Sequence, residues 1–102
     1  MDILERIKQL VRDDRIILTE KAQIEMEVDG LTRRHIRDAI VNARAITKIL
    51  RSRNPRTGSA EKLYVIKGIT VDGIFIYTKG KIDKAGTEEV YYVFISSKRS
   101  TD

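Results

Sequence analysis

Two short stretches gather the side chains best suited to work on a phosphodiester: Tyr77-Thr78-Lys79-Gly80-Lys81 and Ser96-Ser97-Lys98-Arg99. Cleaving RNA without a metal needs a base to activate the 2′-hydroxyl, cations to stabilise the phosphorane, and an acid to protonate the departing 5′-oxygen. Lysine, arginine and tyrosine can share these roles, with a lysine acting as base only where neighbouring cations or burial lower its pKa. Lys79 and Lys98 are therefore candidates for phosphate stabilisation or base work. Tyr77 and Tyr92 are candidates to stack on a nucleobase or to serve as the acid, a stacked base being worth about 1–3 kcal/mol. Lys81 and Arg99 join the cations that would contact RNA. The competing reading is structural: strand-end lysines guard an exposed sheet edge, and tyrosines pack at its rim.

Other chemistries find little support in the residue inventory. His35 is the sole histidine, so a histidine-pair mechanism is excluded by counting, and its place beside Ile36 on a predicted helix suits a structural role. The chain has no cysteine, which leaves no disulfide framework and no thiolate metal site and is compatible with a reducing compartment. Asp13-Asp14 and Glu88-Glu89 match neither a calcium loop nor zinc spacing, so no metal and no other cofactor is expected. Gly68 and Gly73 fit turns rather than a phosphate-cradling loop, and no nucleophile elbow is present.

Charge points to a polyanionic partner, the competing reading being a solvated basic face with no partner. The net charge is +5, but residues 1–30 set five basic side chains against eight acidic ones, or −3. Residues 31–60 hold eight basic residues against Asp38 alone, or +7, and residues 61–102 hold seven against six, or +1. Positive charge clustered in this way attracts phosphate by steering and counterion release. Arg33, Arg34, Arg37, Arg51, Arg53 and Arg56 are accordingly the candidates to steer and hold an RNA backbone. No apolar run approaches the length of a membrane span and the start of the chain is charged, so no membrane association and a cytoplasmic location are expected.

The elements that must position these groups can be read from periodicity. Over Asp2 to Arg12, Ile3, Leu4, Ile7, Leu10 and Val11 form one apolar stripe of a helix, and Arg15 to Leu18 is a short extended segment. Thr19 caps a second helix, Glu20 to Val28, which Asp29-Gly30 stops. Thr32 caps a third, running to about Ala43, with Ile36, Ala39, Ile40 and Ala43 inward. Ile46 to Arg51 is a predicted strand and Arg53 to Ser59 a basic loop. Three runs rich in β-branched and aromatic residues follow, Lys62–Ile69, Ile74–Lys79 and Val90–Lys98. Asp72-Gly73 marks a hairpin between the first two, and Gly80 to Glu89 reads as a longer charged connection. Strict alternation would set Tyr92, Phe94, Ser96 and Lys98 on one face, opposite Tyr91, Val93, Ile95, Ser97 and Arg99. Helices followed by antiparallel strands argue an α+β domain spanning residues 1–102, its sheet having about four strands.

Leu18-Thr19-Glu20-Lys21-Ala22, leading to Asp29-Gly30-Leu31-Thr32 and then Ile36, Ala39 and Ile40, resembles the opening of the small RelE-like toxin-related domains, near the MqsR toxins. Leu63 to Gly68, Tyr77 to Lys81 and Phe94 to Lys98 resemble the sheet of that family, so the likeness runs over roughly residues 15–99. Lys21 stands where many of its members have a histidine. The resemblance implies a RelE/ParE-like twisted antiparallel sheet with helices on one face. It further implies a toxin of a type II toxin–antitoxin pair that cleaves messenger RNA, free or on the ribosome, without metal. The partner so implied is a small antitoxin with a zinc-binding and a DNA-binding segment. A non-catalytic RNA-binding or protein-interaction module of the same fold is the alternative.

Overall fold

The computed structural model describes residues 2–85 and 89–101. Three helices, α1 (Ile3–Arg12), α2 (Glu20–Val28) and α3 (Arg33–Asn42), accompany five strands, β1 (Ile16–Leu18), β2 (Lys48–Arg53), β3 (Ala60–Ile69), β4 (Phe75–Ala85) and β5 (Glu89–Arg99). The architecture is α+β. The sheet order is β1-β5-β4-β3-β2. It has five strands rather than four and is mixed: β1 runs parallel to β5, whereas the other neighbours are antiparallel. Among the described residues no helix is long and apolar enough to cross a membrane.

Each helix begins where its cap chemistry dictates. Asp2 accepts from the Glu5 N–H, and Thr19 accepts from the Ala22 N–H at 3.2 Å. Thr32 accepts from the His35 N–H while the His35 Nδ1 accepts from the Thr32 N–H, so the lone histidine completes a reciprocal capping box. Its Nε2 faces Asp72 at 3.9 Å.

All three helices lie on one face of the sheet. Ile7, Leu10 and Val11 of α1, Ala22 and Met26 of α2, and Ile36, Ala39 and Ile40 of α3 meet Tyr64, Ile66, Ile76, Tyr92 and Phe94 in one core. Ile24 and Val28, the other apolar pair of α2, are exposed. Glycine makes the approach possible at two points. A Cβ on Gly68 would run into the Ala39 carbonyl of α3, and one on Gly80 would lie 2.6 Å from the Tyr92 ring. Both residues therefore belong to strand interiors. Gly68 is not a turn residue, and Gly80 does not open a connection, because β4 continues to Ala85 and pairs with β5 as far as Glu89. Of the stretch read as a connection, only residues 86–88 lie outside the described residues.

Candidate functional site on the open face of the sheet

Pairing register decides which cations meet. The Asp72-Gly73 turn sets Ile69 opposite Phe75 and Lys67 opposite Tyr77. Tyr77 in turn pairs with Lys98, and Lys79 with Ser96. Lys48 of β2 stands opposite Val65, which stands opposite Lys79. Two cross-strand rows thus run side by side, Lys67–Tyr77–Lys98 and Lys48–Val65–Lys79–Ser96. Directly opposed residues are about 5 Å apart at Cβ and interact. By register these rows lie on the face opposite the helical core, except that buried Ser96, at the β5 edge, reaches Glu25 of α2.

Lys98 reaches that face through a β-bulge. Gly80 pairs with Phe94 while Lys79 pairs with Ser96, so Ile95 is the extra residue of β5. A bulge reverses the alternation beyond it. Tyr92 and Phe94 therefore point into the helical core, yet Lys98, an even number of residues further on, points out beside Tyr77. Its ammonium lies 5.5 Å from the centroid of the Tyr77 ring, within cation–π range. Among the described residues no carboxylate lies within ion-pair distance of Lys48, Lys79 or Lys98.

The bulge also turns Ser97 inward. Its hydroxyl donates to the Ala22 carbonyl at 3.0 Å, and its N–H donates to the Glu25 carboxylate, which accepts from the Ser96 hydroxyl as well at 2.7 Å. One helical turn on, Asp29 accepts from the Arg99 N–H at 2.8 Å. Glu25 and Asp29 thus take the outward N–H groups of β5 where β1 has ended. Part of the acidic excess of residues 1–30 serves as this edge cover, which no local pattern announced.

The remaining candidates divide between sites. Tyr92 departs from expectation: it is 0% exposed, on the helical face, and its hydroxyl has no hydrogen-bond partner among the described residues. Burial, with a smaller contribution from Tyr64, pushes its phenol well above the ordinary tyrosine value. It packs edge-on against Phe94 at 5.0 Å and cannot meet a ligand on the open face. Lys81 lies on the open face, but its ammonium is engaged by Glu61 at 2.8 Å in a largely buried pair. Arg99 donates from Nε to the Asp29 carbonyl at the end of α2, where a cation complements the helix dipole.

Arg33, Arg34 and Arg37 belong to the helical layer, across the sheet from Tyr77. With Asp14, Ile16 and Asp38 they line a recess of about 520 Å³, and Arg33 is paired with Asp14 at 3.2 Å. Arg51 and Arg53 lie on the exposed edge strand, where Arg53 donates to the Gly58 carbonyl, and Arg56 is exposed in the following loop. The twelve candidates therefore do not form one surface. Tyr77, Lys79 and Lys98 are brought together, joined by Lys48 and Lys67, which sequence reasoning missed. Counting outward from a two-residue Asp72-Gly73 turn would have set Gly68 opposite Tyr77; the actual connection is one residue longer, Val71 to Gly73, and brings Lys67 there instead.

Comparison with family models, curated proteins and solved structures returns no match to this chain.

Proposed function

We propose that this protein acts on single-stranded RNA at the open face of its sheet, as a RelE-like toxin that cleaves messenger RNA by side-chain acid–base chemistry, without metal. The observation that carries the reading is the bulged register that sets Lys98 over the Tyr77 ring, with Lys79 in the adjacent row. Cations and a phenol face solvent there, and neither Lys79 nor Lys98 is neutralised by a carboxylate among the described residues. Lys79 and Lys98 would hold the non-bridging oxygens as charge accumulates on phosphorus. The 2′-oxygen attacks phosphorus as its proton passes to the uncharged amine of one of these two lysines, while the other stabilises the phosphorane. The bond to the 5′-oxygen breaks, and Tyr77 gives its proton to that oxygen. The products are a 2′,3′-cyclic phosphate and a 5′-hydroxyl. On this reading a small antitoxin is the protein partner, and it silences the toxin by covering the open face.

The test is incubation of the purified protein with end-labelled single-stranded RNA in excess EDTA, with the product ends mapped. Cleavage leaving a cyclic phosphate is expected, falling by roughly 10²-fold or more in Tyr77→Phe and lost in Lys79→Ala/Lys98→Ala. RNA that is bound but stays intact would overturn the nuclease assignment and favour a non-catalytic RNA-binding module.

A further inference from the structure

Beside the Tyr77–Lys98 row the sheet carries an apolar surface that the proposed chemistry does not use. Phe75 is 52% exposed and Ile69 40%. Phe75 precedes Tyr77 by two residues on β4, so both rings stand on the open face, about 7 Å apart along the strand. The last turn of α3 and the chain that follows it border this end of the sheet. Asn42 donates from its side chain to the Ile69 carbonyl at 2.9 Å, closing the edge of β3 where β2 has not yet begun.

A cleft of about 380 Å³ results, lined by Asn42, Arg44, Ala45, Lys67, Ile69 and Phe75 among others. Among the described residues no acidic side chain lines it. The nearest carboxylate in sequence, Asp72, faces His35 instead. The cleft combines an exposed aromatic ring, an apolar floor and Arg44 at its rim, and it shares Lys67 with the recess at Tyr77 and Lys98.

We infer that this cleft is a nucleobase subsite: an unpaired base of single-stranded RNA stacks on Phe75, next to the nucleotide at Tyr77, while Arg44 contacts the phosphate between nucleotides. The inference rests on the RNA-directed reading of the open face and specifies its substrate class. A duplex keeps its bases stacked and cannot present a free base plane to a ring on a sheet. The subsite therefore selects single strands, loops and ends. A protein segment would find the same apolar floor, but Arg44 at the rim and the absence of lining carboxylates among the described residues favour a polyanion.

The test compares wild type, Phe75→Ala, Phe75→Leu, Phe75→Trp and Lys79→Ala/Lys98→Ala. Each is titrated into a short fluorescein-labelled RNA of mixed sequence, 2′-O-methylated so that it cannot be cleaved, single-stranded or annealed to its complement, after thermal melts establish that each is folded. Phe75→Ala and Phe75→Leu should raise Kd for the single strand at least about fivefold, and Phe75→Trp should restore it, since stacking needs a π-face and not merely apolar area. Duplex affinity should be low and indifferent to residue 75. If Lys79→Ala/Lys98→Ala weakens single-strand binding while Phe75→Ala and Phe75→Leu bind like wild type, the subsite is wrong and the RNA reading stands. If Leu serves as well as Phe, a stacking role is refuted. If wild type binds no RNA, both fall together.

Discussion

Tyr77 and Tyr92 sit on the same antiparallel pair of strands, β4 and β5, and the sheet gives them opposite lives. Tyr92 lies among Phe94, Tyr64 and the helices, with no solvent exposure and an unpartnered hydroxyl. Tyr77 lies on the other face, half-buried between Lys67 and Lys98. One face is committed to packing: its glycines admit a carbonyl at Gly68 and a ring at Gly80, and its hydroxyls on Thr78 and Ser97 bond to the Ile66 and Ala22 carbonyls. The other face has cations in register and, among the described residues, no helix above it. Residue type does not separate structural from functional tyrosines here. The face does, and a single bulge determines which face Lys98 joins.

The comparison breaks most readily at the closest contact. Gly68→Ala should destabilise the fold by about 3 kcal/mol, because the new methyl meets helix backbone rather than a side chain that can rotate away. Lys98→Ala, on the open face, should change stability by no more than about 0.5 kcal/mol. Urea unfolding of the two variants checks this pair, and equal midpoints would mean that α3 is not seated on β3 as described.

A smaller effect sharpens the contrast between the tyrosines. Tyr92→Phe removes a buried, unpartnered hydroxyl, so stability at neutral pH should hold or rise by about 1 kcal/mol, with RNA binding unchanged. The same substitution should alter the alkaline limb. Burial raises the folded-state pKa of Tyr92 above its ordinary value of 10.0. The unfolded chain therefore releases the phenolic proton first, and stability held in full below pH 10 is lost as the pH climbs above it. In Tyr92→Phe that decline should be shallower by up to about 1.4 kcal/mol per pH unit. Identical slopes in denaturation series at several alkaline pH values would contradict the burial.

Much of this was legible in the chain, for identifiable physical reasons. Thr19 and Thr32 announced two helices because a hydroxyl ahead of a helical stripe has an orphan N–H to satisfy. Ile36, Ala39, Ile40 and Ala43 were correctly read as the inward face of α3. The extent of β4 was not legible, because Gly80 looks like punctuation until the Tyr92 ring across from it is known. Nor was the parallel docking of β1 on β5, which depends on tertiary placement. The face of Tyr92 and Lys98 was the costliest omission. Both faces of β5 carry apolar residues, and strict alternation grouped these two together, whereas the extra residue at Ile95 separates them. The arginines illustrate a related limit: charge counted along the chain put Arg33, Arg34 and Arg37 with Arg51, Arg53 and Arg56, although the fold sends the first three to the helical layer and the others to the far edge of the sheet.

The central claim is that the open face, and not the arginine-rich helical layer, meets RNA. Its most direct test is binding of single-stranded RNA, 2′-O-methylated so that it cannot be cleaved, across a salt series for wild type, Lys79→Ala/Lys98→Ala and Arg34→Ala/Arg37→Ala. The open-face pair should lose affinity and flatten the slope of log K against log salt by about 1.4, two phosphate contacts at roughly 0.7 each. The helical-layer pair should keep the wild-type slope. A wild-type slope in Lys79→Ala/Lys98→Ala together with a flattened one in Arg34→Ala/Arg37→Ala would place the RNA on the opposite side of the molecule and contradict the account.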